Sequence, residues 1–201
     1  PEEAETWADT YYDIIKSDEC VPLGHTVNAN LAMVAGFSLH EDGDEAMRRG
    51  IDGFQFFRYA VNALVANETR PGRSNLWGEY EELRGPDLPT IGAPGIGTPD
   101  DYTALVKEFE AAGVDQVIFL QQGGKNEHKH ICESLELFGE KVLPNFEPFR
   151  DERVAQKNAE LAPYIEAALD RKQWMEPLAD DEIPIVPPSQ ARESFYVKTD
   201  T

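Results

Sequence analysis

The stretch that decides the fold runs from Gly95 to Leu120 and reads GIGTPDDYTALVKEFEAAGVDQVIFL. It opens with a helix start. Thr98 is a residue type that caps exposed helix N–H groups, and Pro99 suits the first helical position. Asp100 and Asp101 favour the positive end of the helix dipole. Tyr102, Leu105, Phe109 and Ala112 recur at helical spacing and predict one buried stripe. Gly113 follows, a residue that ends helices by taking the left-handed conformation. Val117 to Leu120 then reads as a short buried strand. Helix, glycine stop and strand in this order are half of a repeated βα pattern, and such repeats build parallel sheets.

Upstream, ANLAMVAGF at 29–37 is apolar in both of its alternating sets, as a strand covered on both faces must be. Glu41, Asp42 and Asp44 open a helix over 43–65 with the stripe Met47, Ile51, Phe54, Phe57, Val61 and Leu64. Gly50 and Gly53 lower its intrinsic stability, which predicts close approach of a neighbour at those positions. From 67 to 94 the chain reads as an irregular excursion around a short helix, WGEYEELR, long enough to be functional. The first residues, PEEAETWADTYYDIIKSDE, predict a helix with Ala4, Trp7, Tyr11 and Ile14 inward. A last long helix over about 150–172 carries Val154, Leu161, Ile165 and Leu169 on one side. The tail PLADDEIPIVPPSQ reads as extended or disordered.

The 201 residues are enough for one domain, or part of a larger one. A composition 41% hydrophobic and 10% aromatic supports a core. Lys and Arg total 18 against 38 acids, a net charge of -20, which repels nucleic acid and anionic lipid. The expected class is an acidic cytoplasmic enzyme. The longest apolar run, Leu31 to Phe37, is too short to cross a bilayer. Cys20 and Cys132 make no motif with one another; two free thiols and a single disulfide both remain open. The chain begins at Pro1 inside a helical pattern and reads as a piece of a longer polypeptide.

The candidate chemistry lies in DQVIFLQQGGKNEHKHICESLELF, residues 115–138. On a helix His128 and His130 lie about 200° apart, so they cannot share a face. His128 aligns with Cys132, and His130 with Glu133, but two-ligand pairs make no site and CxxC and HExxH are absent. No metal is expected. Ile131, Leu135, Phe138 and Val142 predict the inward stripe of this helix, with His128 as its extension at the C-terminal lip of the preceding strand. That lip is where parallel α/β architectures bind ligands. Gly123 and Gly124 leave N–H groups accessible there, and Gln121 and Gln122 add amides. His128 has two readings, a rim contact or a capping surface residue. Gly36, Phe37, Ser38 and His40 end the other strand, and His40 is equally a rim or a loop residue. GAPGIGTP, with Gly97 and Thr98, is either an anion site at a helix start or a tight turn. Arg70 and Arg73 either meet an anionic ligand or neutralise nearby acids.

Taken together these residues resemble the C-terminal signature of the luciferase-like, flavin-dependent oxidoreductases. The resemblance is carried by GVDQVIFLQQ with HICESLELF, and extends to IIKSDECVPLGHTVNANLAMVAGFSLHEDGDEAMRRGIDGFQFF, RPGRSNLW and ELAPYIEAALDRK. It implies an α/β fold made of the later units of a (β/α)8 TIM-type barrel, whose complete form takes about 250 residues. Residues 1–146 would be those units, 147–175 a helical extension and 176–201 an extended or disordered tail. ANLAMVAGF would be the sixth strand, GAPGIG the seventh and DQVIFLQQ the eighth. Such a piece should show an open sheet edge and exposed apolar surface.

By the same resemblance the activity is oxygenation of a small organic substrate by reduced FMN and O2. The flavin would come from a reductase partner, in a protein that forms homo-oligomers. Hydride transfer by a deazaflavin, or a non-catalytic barrel remnant, are the alternatives. The implied cofactor contacts are Gly97, Thr98, Gln121, Gln122, Gly123 and Gly124, with His128 as the catalytic candidate. The ring system does the hard chemistry in such enzymes, which agrees with the lack of any nucleophile–base pair in this sequence. Lys125 and Glu127 stand where close relatives would carry arginine, and Glu127 reverses that charge.

Overall fold

The computed structural model describes residues 2–66, 74–84, 94–174 and 176–183. It is a mixed α/β fold, rich in helix. Helix α1 spans Glu2–Lys16, and strands β1 and β2 cover Ala32–Gly36 and Ser38–Leu39. Helices α2, Gly43–Ala66, and α3, Leu76–Arg84, follow. Strand β3 is Ile96–Gly97, helix α4 Pro99–Ala111, and strand β4 Gln116–Leu120. Helix α5, His128–Leu137, runs into a π turn at Phe138–Val142, and α6 is Arg150–Asp170. Arg70, Arg73 and the tail from 184 onward lie outside the described residues.

The expected parallel pairing is present. β1 runs parallel to β4 with Ala32 opposite Gln116 and Gly36 opposite Leu120, and β2 runs parallel to β3. The order differs from the barrel expectation. Leu31 gives its carbonyl to the Gln116 N–H on one edge. Gly36, Ser38 and His40 donate their N–H groups to the carbonyls of Pro94, Gly95 and Gly97. Successive residues of a strand bond to opposite neighbours, so odd residues of 31–40 serve β4 and even ones serve β3. The segment 32–39 therefore lies between β4 and β3, whereas consecutive barrel units would put the 94–97 segment in the middle.

Helices also cover both faces. Ala35 packs with Ala4 of α1 and with Phe109 and Ala112 beside the end of α4. Phe37 and Leu39, on the same face, pack with Tyr102 and Val142. On the opposite face Gly36 meets the Phe54 ring, Gly50 meets the Ser38 side chain, and Ile96 packs with Ala46 and Ile51. That places α2 where a closed barrel keeps side chains and ligand. At the other end of this face Val34 and its register partner Ile118 are 54% and 45% exposed. The two strands are thus not covered on both sides along their whole length. Among the described residues β4 pairs only with β1.

Several stripes fall one residue from their expected place. In α1 Ala4, Ala8 and Ile15 are buried while Trp7 and Ile14 face solvent. In α2 the inward residues are Ala46, Gly50, Ile51, Gly53 and Ala63, and Val61 and Leu64 are exposed. In α6 Leu161 and Ala168 are buried and Val154 is not. In α5 Ser134 is buried and Leu135 exposed, because the Ser134 hydroxyl both receives the Leu39 N–H and donates to the Leu39 carbonyl, each at 3.0 Å. It takes the place of a strand beyond the end of β4. The π turn then rotates Val142 fully inward.

α6 is tied to the N-terminal end of the sheet by one carboxylate. Asp115 accepts from the Leu31 N–H at 2.8 Å, from Lys157 at 2.6 Å and from the Tyr12 hydroxyl. Burial and that carboxylate push the Tyr12 phenol well above its ordinary range. Lys157 also donates to the Ala29 carbonyl at 2.9 Å, so α1, α6 and both strand entries meet at Asp115. Cys20 and Cys132 are free thiols.

Candidate functional site

The C-terminal ends of the parallel strands define one lip, reached by His40 after β2, by Thr98 after β3 and by the loop 121–127 after β4. The structure closes the first candidate on it. Thr98 caps α4 as expected, but its groups are used within the chain. The Thr98 N–H donates to Asp101 Oδ2 at 2.9 Å and its hydroxyl lies 2.7 Å from the same oxygen. The Asp101 N–H returns a bond to the Thr98 hydroxyl. These bonds hold the Asp101 carboxyl below the usual carboxylate range. The space at Gly97 is filled too, since a Cβ there would stand 2.7 Å from Asp101 Oδ2. A carboxylate already sits where a phosphate would bind, so a phosphate does not fit at Gly97 and Thr98.

The loop after β4 is shaped by two glycine contacts. Gly53 of α2 lies against Gly123 so closely that a Cβ on Gly53 would stand 2.4 Å from the Gly123 carbonyl oxygen. This is the close approach predicted for Gly53, and Gly50 makes its own against Ser38. Gly124 has φ +58° and its Cβ position faces the Trp77 indole at 2.5 Å. The Asn126 side chain donates to the Gln121 carbonyl at 3.0 Å and fixes the turn. Gln121 is half-buried and Gln122 exposed, while Gly123 is buried under α2. Outward-facing amides at this lip therefore come from Gln122 first.

His128 opens α5 and is exposed. Its Nε2 lies 3.5 Å from Cys132 Sγ, the pairing expected from their spacing. His130 lies 3.9 Å from Glu127, a separate pair on another side of the helix. Among the described residues no group of three or more His, Cys, Asp or Glu side chains could hold a metal. His40 accepts the Asp42 N–H at Nδ1, 3.0 Å away, and Asp42 in turn accepts the Asp44 N–H at the start of α2. That makes His40 part of a helix entry.

Two features of the lip were not singled out in the sequence. Arg49, with only 12% of its side chain exposed, bonds Glu45 at 2.7 Å and Glu133 at 2.6 Å, locking α2 to α5. Arg48 and Arg49 hold the Glu45 carboxyl down at about 2, and Arg49 lowers Glu133. The second is the aromatic group Phe56, Tyr59, Trp77 and Tyr80, which joins α2 to α3 beside the loop; Phe56 and Trp77 have ring centroids 4.8 Å apart. Its signal was the aromatic content of FQFFRY and WGEYEELR.

In comparisons with known proteins no family model matches the chain, and no curated protein and no solved structure matches it significantly. No helix among the described residues is long and apolar enough to cross a membrane.

Proposed function

We propose that the chain belongs to a flavin-dependent oxidoreductase of the luciferase-like kind, with its ligand at the lip formed by His40, the loop 121–126 and His128. Reduced flavin and O2 would oxygenate a small organic substrate. The observation that supports the reading is the glycine-bearing loop at the C-terminal end of β4, on a lip that the ends of parallel strands share. Ligands sit beyond C-terminal strand ends in barrels and in open α/β sheets alike, so the site does not depend on barrel closure. The central position of 32–39, between β4 and β3, speaks against consecutive barrel units. A bound flavin would supply the redox chemistry, and this chain's residues would orient it and exclude water. Its phosphate would have to be held away from Thr98.

A second reading, a barrel remnant without a cofactor, is favoured by Asp101 filling the helix start and by α2 covering the inner half of one sheet face. The test mixes the full-length protein with reduced FMN, or with reduced deazaflavin, and follows oxygen consumption and flavin absorbance. Flavin retention and substrate-dependent turnover support the leading reading, and His128→Ala should then lower turnover while leaving the melting temperature unchanged. Neither cofactor binding at micromolar concentration would leave the remnant standing.

A further inference from the structure

We propose that α3 is a lid over the Gly123–Gly124 loop, latched by Lys125. The inference rests on the lip being the ligand site, but its geometry stands apart from any flavin. The one buried residue of α3 among those described, Tyr80 at 5% exposed, packs with Phe56, Tyr59 and Trp77 between α2 and α3, and none of the four apolar clusters around the sheet contains a residue of α3. A swing of α3 therefore opens only this aromatic group and leaves the clusters around the sheet closed, which is the pattern of a local opening.

On one side α3 rides on α2. Tyr80 donates to Asp52 at 2.9 Å, Tyr59 donates to Glu79 at 3.1 Å, and Phe56 meets Trp77. On the other side it reaches the lip. The Trp77 indole lies flush with Gly124, whose positive φ and missing Cβ make room for the ring. Lys125 completes the contact. Its ammonium stands 4.4 Å from the Trp77 ring centroid and 3.4 Å from Glu81. Trp77 and Glu81 are one helical turn apart, so a single cation from the loop holds two residues on one face of α3. The Lys125 side chain is 67% exposed, so water and salt reach the latch. An anionic group of a ligand arriving at the lip meets the same ammonium and competes with Glu81 for it.

The test is hydrogen exchange of the full chain, read by mass spectrometry on peptides covering 76–84, 121–127, 32–36 and 116–120. Lys125→Met keeps the stem over the ring and removes the charge; Glu81→Gln removes only the ion pair. Lys172→Met is the control, because it deletes the similar contact of Lys172 over Trp174, 4.0 Å away, on another part of the surface. Lys125→Met should speed exchange in 76–84 and 121–127 together by roughly fivefold, the size expected for an exposed cation–π contact plus a surface ion pair. Glu81→Gln should have a smaller effect on the same two segments. The strands and the control should show no change. Equal acceleration of the strands, acceleration of only one of the two segments, or no change with Lys125→Met would each overturn the lid. These outcomes involve no flavin, so they fail or succeed separately from the oxygen-consumption test.

Discussion

Gly53→Ala probes the contact on which the layered arrangement depends. A Cβ at this position would stand 2.4 Å from the Gly123 carbonyl oxygen and 2.4 Å from Asn126 Oδ1. Ordinary contact begins near 3.4 Å, so α2 and the loop must separate by about 1 Å. Asn126 can turn aside, but the Gly123 carbonyl is backbone and moves only with the loop. Overpacking of this kind costs about 1–3 kcal/mol, and the better helix propensity of alanine returns up to about 1 kcal/mol. Because the obstacle at 2.4 Å is backbone, the overpacking falls in the upper part of that range, about 2–3 kcal/mol, which leaves a net loss of about 1–2 kcal/mol, or a fall in melting temperature of about 2–8 °C for a chain of this size. Gly139→Ala is the control, since nothing lies within 4 Å of its Cβ position. Thermal unfolding followed by far-UV circular dichroism reads both. A Gly53→Ala protein as stable as its parent would refute the packing of α2 across the end of β4.

Thr98→Ala removes the cap of α4 and should cost about 1 kcal/mol, a fall of about 2–4 °C in melting temperature. Asp101→Asn should weaken the same box by removing the charge that accepts the Thr98 bonds. Glu45 has its folded pKa lowered from 4.5 to about 2 by Arg48 and Arg49. A lowered carboxyl stabilises the fold above its unfolded value, and that contribution is lost as pH falls from 4.5 toward 2. Glu45→Gln should therefore flatten the stability profile in this window and leave its shape above pH 5 unchanged; denaturant titrations at a series of pH values check this.

The local code around α4 was legible in full. Thr98, Pro99, Asp101 and Gly113 act through contacts within a few residues, and the cap and the stop stand where those residues predict, with Gly113 at φ +79°. The parallel pairing of the two apolar segments was legible as well, because runs such as LAMVAGF suit a covered parallel strand. Strand order was not. It is set by which edges meet in space, and the pattern of 29–37 is the same whichever neighbours it has. Of the stripe expected for this segment Phe138 and Val142 pack inward, while Leu135 is exposed because Ser134, a polar residue, is buried to satisfy the Leu39 backbone beyond the end of β4. In α1 small alanines at 4 and 8 pack under α4 and over Gly113, and the larger Trp7 is left outside. At the candidate site, Gly123 and Gly124 stood out in the sequence for their accessible N–H groups, and the structure adds a packing role that the sequence did not announce. Their lack of side chains admits α2 and Trp77.

Strand order is also what a single measurement can decide. In a background with Cys20 and Cys132 changed to serine, Val34→Cys and Ile118→Cys are placed at directly paired positions of β1 and β4. Oxidation should link them, because neighbouring strands lie about 4.8 Å apart and a disulfide spans about 4.4–6.8 Å between Cα atoms. With the 94–97 segment in between, as consecutive barrel units require, the separation would be about 9.6 Å, two strand spacings, and no bond could close. A 34–118 disulfide in the folded protein, seen by non-reducing peptide mapping, is the predicted result; its absence, with both thiols free and the fold intact, would contradict the arrangement described.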